Sequence, residues 1–216
     1  MTLPIALAGL LFGAWGVASD RIASVWPADE ARRGGIGPRT VLLGLVAGAT
    51  AAAIVAVSEL PAWATLVHLA LLVPLVLLTA TDLEQRRLPH LALDPLIVGA
   101  VAFVPFNPGV APLDAAIGAV AAVAFLGVLG LIIRGGVALG DLYLIAPLGL
   151  VLGWPAIFSA IFVAALLSGV TSLALLATRR VGMKSYIPFG PFLVAGAIIA
   201  LLREPHLLGQ VAALLP

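Results

Sequence analysis

The sequence predicts an all-α, polytopic transmembrane helix bundle with about eight spans. Hydrophobic residues make up 62% of its 216 residues and charged residues only 10%, and the mean hydropathy is +1.21. A soluble domain of this size cannot bury so much apolar surface. Backbone polar groups must be satisfied internally in lipid, and the sequence lacks the alternation typical of a membrane β-barrel. Helices surrounded by a lipid bilayer are therefore expected.

Apolar runs separated by charges or by proline and glycine clusters define the predicted spans. The runs lie at residues 3–19, 41–58, 62–81, 90–106, 113–133, 142–154, 156–178 and 188–203. Trp154-Pro155, between the sixth and seventh runs, is compatible with a tight outer turn or with a kink in one long helix. Because the chain shows no repeat and no domain linker, residues 1–216 are predicted to form a single membrane domain. One short cytoplasmic loop is expected at about residues 20–40.

The positions of lysine and arginine predict how the bundle is oriented. Ten of the eleven basic residues fall in the odd-numbered loops, and only Arg203 falls on the other side. Cytoplasmic loops carry such an excess of positive charge, so both termini are expected outside. The first run has no basic residue before it and Arg21 after it, which favours a retained span over a cleaved signal peptide.

Net charge and residue counts argue against several classes of function. A net charge of +1 argues against a nucleic-acid partner. The chain has no cysteine, which excludes disulfides and thiolate metal sites. Its histidines, His68, His90 and His206, lack the spacing of a zinc hydrolase. We therefore expect no metal ion and no other cofactor.

Two carboxylates lie at matching positions near the predicted cytoplasmic boundary. Asp82 ends the third span, and Asp141 begins the sixth. Two aspartates brought together in a partly desolvated bundle share one proton. The ionised member can then take a proton from water while its neutral partner polarises a carbonyl or protonates a leaving nitrogen. For Asp141 alone, a helix N-cap is an equally compatible role.

The remaining acidic residues are expected to be supporting or solvated. Glu84, two residues after Asp82, is a third carboxylate near the pair. Asp94 lies about a turn into the fourth span, where a polar contact within the bundle is expected. Positions in loops or at span ends, where solvation is the default, are occupied by Asp20, Asp29, Glu30, Glu59 and Glu204.

Four segments, in order along the chain, resemble elements of the type IV prepilin peptidase family. Residues 82–89, DLEQRRLP, resemble its D-x5-[IL]-P element, and residues 138–141, ALGD, resemble its G-x-G-D element. Residues 148–154 resemble the glycine-rich tract that follows, and residues 187–192, IPFGPF, match a signature near the last helix. The chain differs from the family pattern at three positions near these elements: Ala138 for glycine, Tyr143 for lysine and His90 for asparagine or aspartate.

The resemblance implies an inner-membrane aspartyl endopeptidase of the GxGD type. Such enzymes act at the cytoplasmic face on pilin-like precursors, which carry a short basic leader, a glycine and a long apolar helix. Asp82 and Asp141 would be the catalytic pair. The residues implied to bind substrate or support the site are Gly140, Glu84, Pro89, Pro188, Phe189, Gly190 and Pro191. The first loop lacks the CxxC pairs of bifunctional members, which argues against methyltransferase activity.

Three other functions are compatible with the same residues. A different GxGD intramembrane protease would also place Gly-Asp at the start of a helix. A small proton-coupled transporter would use Asp82 and Asp141 as proton carriers, although the sequence shows no inverted repeat. A non-catalytic assembly component is the third alternative, and Ala138 and Tyr143 motivate it because both differ from the family pattern.

Overall fold

The computed structural model describes residues 2–27, 35–133, 137–179, 182 and 187–212, with side chains given as far as Arg203. These residues form eight α-helices and no strand, which confirms the predicted helix bundle. The helices are α1 (Thr2–Ala23), α2 (Pro38–Val57), α3 (Ala62–Gln85), α4 (His90–Phe103), α5 (Pro112–Ile132), α6 (Leu139–Leu152), α7 (Ala156–Ala177) and α8 (Gly190–Ala212). A 3₁₀ turn, Val104–Phe106, follows α4.

Five of the described helices are long and apolar enough to cross a membrane, namely α1, α2, α3, α5 and α7. The other apolar stretches are shorter: His90–Phe106, Leu139–Leu152 and the first part of α8, Gly190–Arg203. A full crossing takes about 20 apolar residues. The protein is therefore an integral membrane protein in which long and short helices alternate along much of the chain.

The helix ends at the first loop and after α3 differ from the predicted boundaries. α1 continues to Ala23 and α2 begins at Pro38, so the interval between them is shorter than the predicted loop at 20–40. α3 continues to Gln85, which places Asp82 inside its last turn. A helix can continue through polar residues near a membrane boundary. A prediction from hydropathy alone therefore places the end of the third span too early.

Trp154-Pro155 lies in a turn between two separate helices. α6 ends before Gly153, which has a φ of 70°. A positive φ at the residue after a helix is typical of a glycine that terminates it. The structure thus favours the tight turn over a kink in one long helix. α8 reaches Ala212 and so extends past the predicted end at 203.

Close glycine contacts join the helices into pairs. A Cβ atom added to Gly48 of α2 would lie 2.6 Å from the carbonyl oxygen of Gly9 in α1. At Gly196 of α8 it would lie 2.2 Å from the carbonyl oxygen of Ala160 in α7. Small residues allow such approaches where lipid gives no hydrophobic drive for association. α3 contacts α1, α2, α4 and α8, so it packs against helices from both halves of the chain.

Some residues used for the sequence predictions lie outside the described part of the chain. They are Asp29, Glu30, Arg32, Arg33, Arg134, Arg180 and Lys184, together with the side chains of Glu204 and His206. The predicted orientation of the bundle therefore stays a prediction.

Candidate active site

Asp82 and Asp141 meet at one end of the bundle. Asp82 lies in the last turn of α3, and Asp141 lies in the first turn of α6. Both side chains are buried, with 6% of Asp82 and 2% of Asp141 exposed. Their carboxylates are close enough to interact electrostatically. Two acids that converge in a water-poor setting are the arrangement that a shared proton requires.

The start of α6 holds the Asp141 carboxylate in place. Its Oδ2 accepts a hydrogen bond from the Ala138 backbone N–H at 3.1 Å. Ala138 is the N-cap residue. Asp141, the third residue of the helix, accepts from the free N–H of Ala138 and is not the cap itself. Ala138 has φ −85° and ψ 154°, an extended conformation open to any L-residue. Alanine in place of glycine therefore causes no backbone strain at this position.

The start of α8 covers the Asp82 carboxylate. A Cβ atom added to Gly190 would lie 2.6 Å from Asp82 Oδ2, so the backbone approaches the carboxylate as closely as only glycine allows. The Gly190 amide interacts favourably with the carboxylate, although its geometry falls short of a hydrogen bond. Asp82 Oδ2 is buried without a hydrogen-bond partner in the described structure. An unsatisfied buried oxygen costs free energy, and a functional role can account for it.

The connection between α3 and α4 packs against the start of α6. A Cβ atom added to Gly140 would lie 3.0 Å from Leu88 Cδ1, so this glycine makes room for the Leu88 side chain. Pro89 follows as the residue before α4. The D-x5-[IL]-P and G-x-G-D elements therefore lie together in space. They touch at Gly140, the residue before Asp141.

The Ile187–Phe192 segment forms the approach to α8. Pro188 and Phe189 precede the helix, and Pro191 lies in its first turn. The Phe189 carbonyl accepts hydrogen bonds from the N–H groups of Phe192 and Leu193 at 3.0 and 3.1 Å. The partly buried side chain of Phe189 packs on the hydrophobic core. The segment thus fixes where Gly190 meets Asp82.

Glu84 contacts α2 and belongs to a second polar cluster. Arg39, in the first turn of α2, forms ion pairs with Glu84 and with Asp20, the latter with Nε and Oδ1 3.0 Å apart. Arg39 also donates to the Ala80 carbonyl at 2.9 Å. Thr40 donates its hydroxyl to Asp20 Oδ2 at 2.6 Å. We call Asp20, Arg39, Thr40 and Glu84 the Arg39 cluster.

The expectation that Asp20 is solvated is wrong. Asp20 lies inside α1 with no exposed surface, and the cation of Arg39 and the hydroxyl of Thr40 offset its burial. Sequence reasoning assigned no role to Arg39 or Thr40, since contacts between α1 and α2 cannot be read from spacing along the chain. In the sequence, the only sign of this contact was that a charged residue, Asp20, directly follows an apolar run.

Asp94 also differs from its expected position. Its side chain is 66% exposed and pairs with His90 of the same helix, with Nδ1 and Oδ1 3.3 Å apart, so the expected contact within the bundle is wrong. The His90 ring packs edge-on against Tyr143, with ring centroids 5.2 Å apart. Two of the three differences from the family pattern, His90 and Tyr143, are therefore in contact. Among the described residues, no three histidine, aspartate or glutamate side chains form a group that could hold a metal ion.

Comparisons with known proteins find similarity to leader peptidases. Residues 69–173, which include both aspartates, match the type IV leader peptidase family. A protein of Aeromonas salmonicida named prepilin leader peptidase/N-methyltransferase is 36% identical over 155 residues, which cover 69% of this chain and 53% of that protein. Proteins of the same name match from Burkholderia pseudomallei (33% over 171 residues, 77% and 55% covered) and Bacillus subtilis (32% over 135 residues, 59% and 52% covered). The chain spans about half the length of these relatives. No solved structure matches it significantly.

Proposed function

Because this chain belongs to the type IV leader peptidase family, we propose that it is an aspartic endopeptidase acting on pilin-like precursors. It removes their basic leader at the cytoplasmic face of the plasma membrane. The observation that carries this proposal is the burial of Asp82 and Asp141, within electrostatic range of each other, where α3 ends and α6 begins. The names of its relatives support a leader peptidase, and the proposal does not include methyl transfer.

In the proposed reaction the two carboxylates hold one proton between them. The ionised carboxylate removes a proton from water, and the resulting hydroxide attacks the scissile carbonyl carbon. The protonated carboxyl donates its proton to the carbonyl oxygen, which stabilises the tetrahedral intermediate. As the C–N bond breaks, the proton taken from water passes to the leaving nitrogen. The carbonyl re-forms as a hydroxyl of the intermediate returns its proton to the carboxylate that had donated one. The pair returns to its starting state without a covalent intermediate.

The location of the pair supports peptide hydrolysis over proton transport. Both aspartates lie at one end of the bundle, beside the first residues of α8. A transporter places its ion-binding carboxylates near the middle of the membrane. Arg86 and Arg87 directly follow α3 and are exposed. Exposed arginines are typical of the membrane interface, so this end of the bundle is expected to lie there.

The direct test replaces each aspartate by asparagine. Asp82→Asn and Asp141→Asn keep the side-chain shape but cannot supply the shared proton and the base. Each is expected to lower precursor cleavage at least about 100-fold, the low end of what general acid–base groups contribute. Cleavage is measured in membranes with a precursor that carries a basic leader, a glycine and an apolar helix, and accumulation is measured in parallel.

Asp94→Asn is the matched control. Asp94 is an exposed aspartate of the same region, and its replacement is expected to leave cleavage unchanged. Normal processing by either Asp82→Asn or Asp141→Asn would rule out the catalytic pair.

A further inference from the structure

An apolar groove runs between α2 and α8 and ends beside Asp82. Its floor is formed by Leu72, Val76 and Thr79 of α3. Its walls come from residues 43–50 of α2 and 191–198 of α8. We call this surface the α2–α8 groove. α2 and α8 make few direct contacts with each other, so the groove separates two well-packed helix pairs.

The groove is continuous with the candidate active site. Val76, Thr79 and Asp82 follow one another at three-residue spacing, which makes them neighbours on the surface of α3. On the opposite wall, Pro191 follows Gly190, whose backbone lies against Asp82 Oδ2. A chain lying in the groove therefore reaches the aspartates at the groove's end.

Each wall of the groove is one face of a single helix. The residues of α8 that line the groove, Pro191, Val194, Ala195 and Ile198, recur at intervals of three and four. The lining residues of α2 recur in the same way from Leu43 to Thr50. A groove with mostly apolar walls can hold the apolar side chains of a further helix. The eight residues of α8 from Pro191 to Ile198 span roughly 10 Å, or about two helical turns.

We propose that the α2–α8 groove binds the first two turns of the apolar helix that follows the scissile bond of the precursor. This inference rests on the proposed peptidase function. The occupant must be apolar along the groove and must also present a peptide bond at Asp82 and Asp141. A lipid acyl chain meets only the first requirement, whereas the precursor helix meets both.

Disulfide crosslinking tests which molecule occupies the groove. The chain has no cysteine, so a single Ala195→Cys substitution gives one reactive thiol on the groove wall. The Ala195→Cys variant also carries Asp141→Asn, so that the precursor is not cleaved. It is mixed with precursors that carry one cysteine in the first two helical turns after the glycine. We expect crosslinks to Ala195→Cys and none to Ala165→Cys, an exposed alanine on α7. Crosslinks of equal yield at both positions, or none at Ala195→Cys, would overturn the proposal.

Kinetics give an independent measurement of the same surface. Ala195→Phe fills the groove and is expected to lower kcat/KM for the precursor at least about tenfold, the lower bound for excluding a methylene-sized group from an apolar pocket. Ala165→Phe is expected to have no effect. If the wild-type chain cleaves no precursor, the proposed function fails. If it cleaves and Ala195→Phe cleaves equally well, only the groove proposal fails. Should Ala195→Phe not accumulate, the crosslinking result decides.

Discussion

Asp82 and Asp141 are held by different neighbours, and this gives them different freedom. Asp141 Oδ2 is engaged by the Ala138 N–H, so its orientation follows from the start of α6. Asp82 Oδ2 has no hydrogen-bond partner in the described structure and lies against the Gly190 backbone. Asp82 Oδ2 is therefore an oxygen whose hydrogen-bonding capacity is still unused, which the proposed reaction requires.

Gly190→Ala tests whether the backbone of α8 sets the position of Asp82. The new Cβ would lie 2.6 Å from Asp82 Oδ2, a distance that forces the carboxylate or the helix start to move. Misplacing a reacting group by about 1 Å costs on the order of 100-fold in rate. We expect a loss of kcat of that order, measured on precursor cleavage by protein that accumulates normally.

Gly169→Ala is the matched control at the residue scale. Nothing lies within 4 Å of a Cβ added at Gly169 of α7, and alanine also favours helix formation. Its kcat should equal that of the wild type. Wild-type kcat in Gly190→Ala would show that α8 does not position Asp82.

At the scale of the element, α3 is fixed on one face and carries Asp82 on another. Ala80 and Glu84, four residues apart, share the face that contacts Arg39, and Asp82, midway between them, points in a nearly opposite direction. Gln85 adds a hydrogen bond from its Nε2 to the Ala23 carbonyl at 2.7 Å. The last turn of α3 is thus tied to the ends of α1 and α2, which limits how Asp82 can move.

Arg39→Gln is expected to weaken both stability and catalysis. Removing one member of a buried ion pair destabilises a protein by about 3–5 kcal/mol, and here Asp20 and Glu84 lose the cation that they share. We expect a lower melting temperature in detergent and a lower kcat with little change in KM, because Arg39 contacts the face of α3 that is nearly opposite Asp82. Arg39→Lys keeps the charge but loses the planar fork, so it should recover part of both quantities. A wild-type kcat in Arg39→Gln would contradict a positioning role.

The sequence predicted the helices better than their ends and contacts. Apolar runs indicate all eight helices because lipid demands such runs. They do not reveal that α3 continues through Asp82 to Gln85, since polar residues are equally at home in a helix at the interface. Nor do they reveal the contact between Asp20 and Arg39, which depends on how α1 packs against α2. The matching positions of Asp82 and Asp141 near the predicted boundary and the family resemblance both favoured a pair, but their packing could not be read from spacing along the chain.

At the scale of the whole molecule, the aspartates lie at the same end as those predicted cytoplasmic charges that the structure describes. α3 ends beside exposed Arg86 and Arg87, α7 ends beside Arg179, and α6 and α8 begin at this end. A leader that is basic would meet Asp82 and Asp141 there only if this end faces the cytoplasm. The orientation of the bundle therefore decides whether the proposed reaction is possible in a cell.

Cysteine labelling can establish that orientation because the native chain has no cysteine. Glu59→Cys lies in the connection between α2 and α3, and Thr178→Cys lies directly after α7, at the opposite end; both positions are exposed. With a membrane-impermeant maleimide, Glu59→Cys should react in intact cells, whereas Thr178→Cys should react only after the cells are opened. We expect this result because the loops at the end of the bundle that carries Thr178 have the excess of basic residues that is typical of the cytoplasmic side. The reverse pattern would place Asp82 and Asp141 outside and would exclude leader cleavage at the cytoplasmic face.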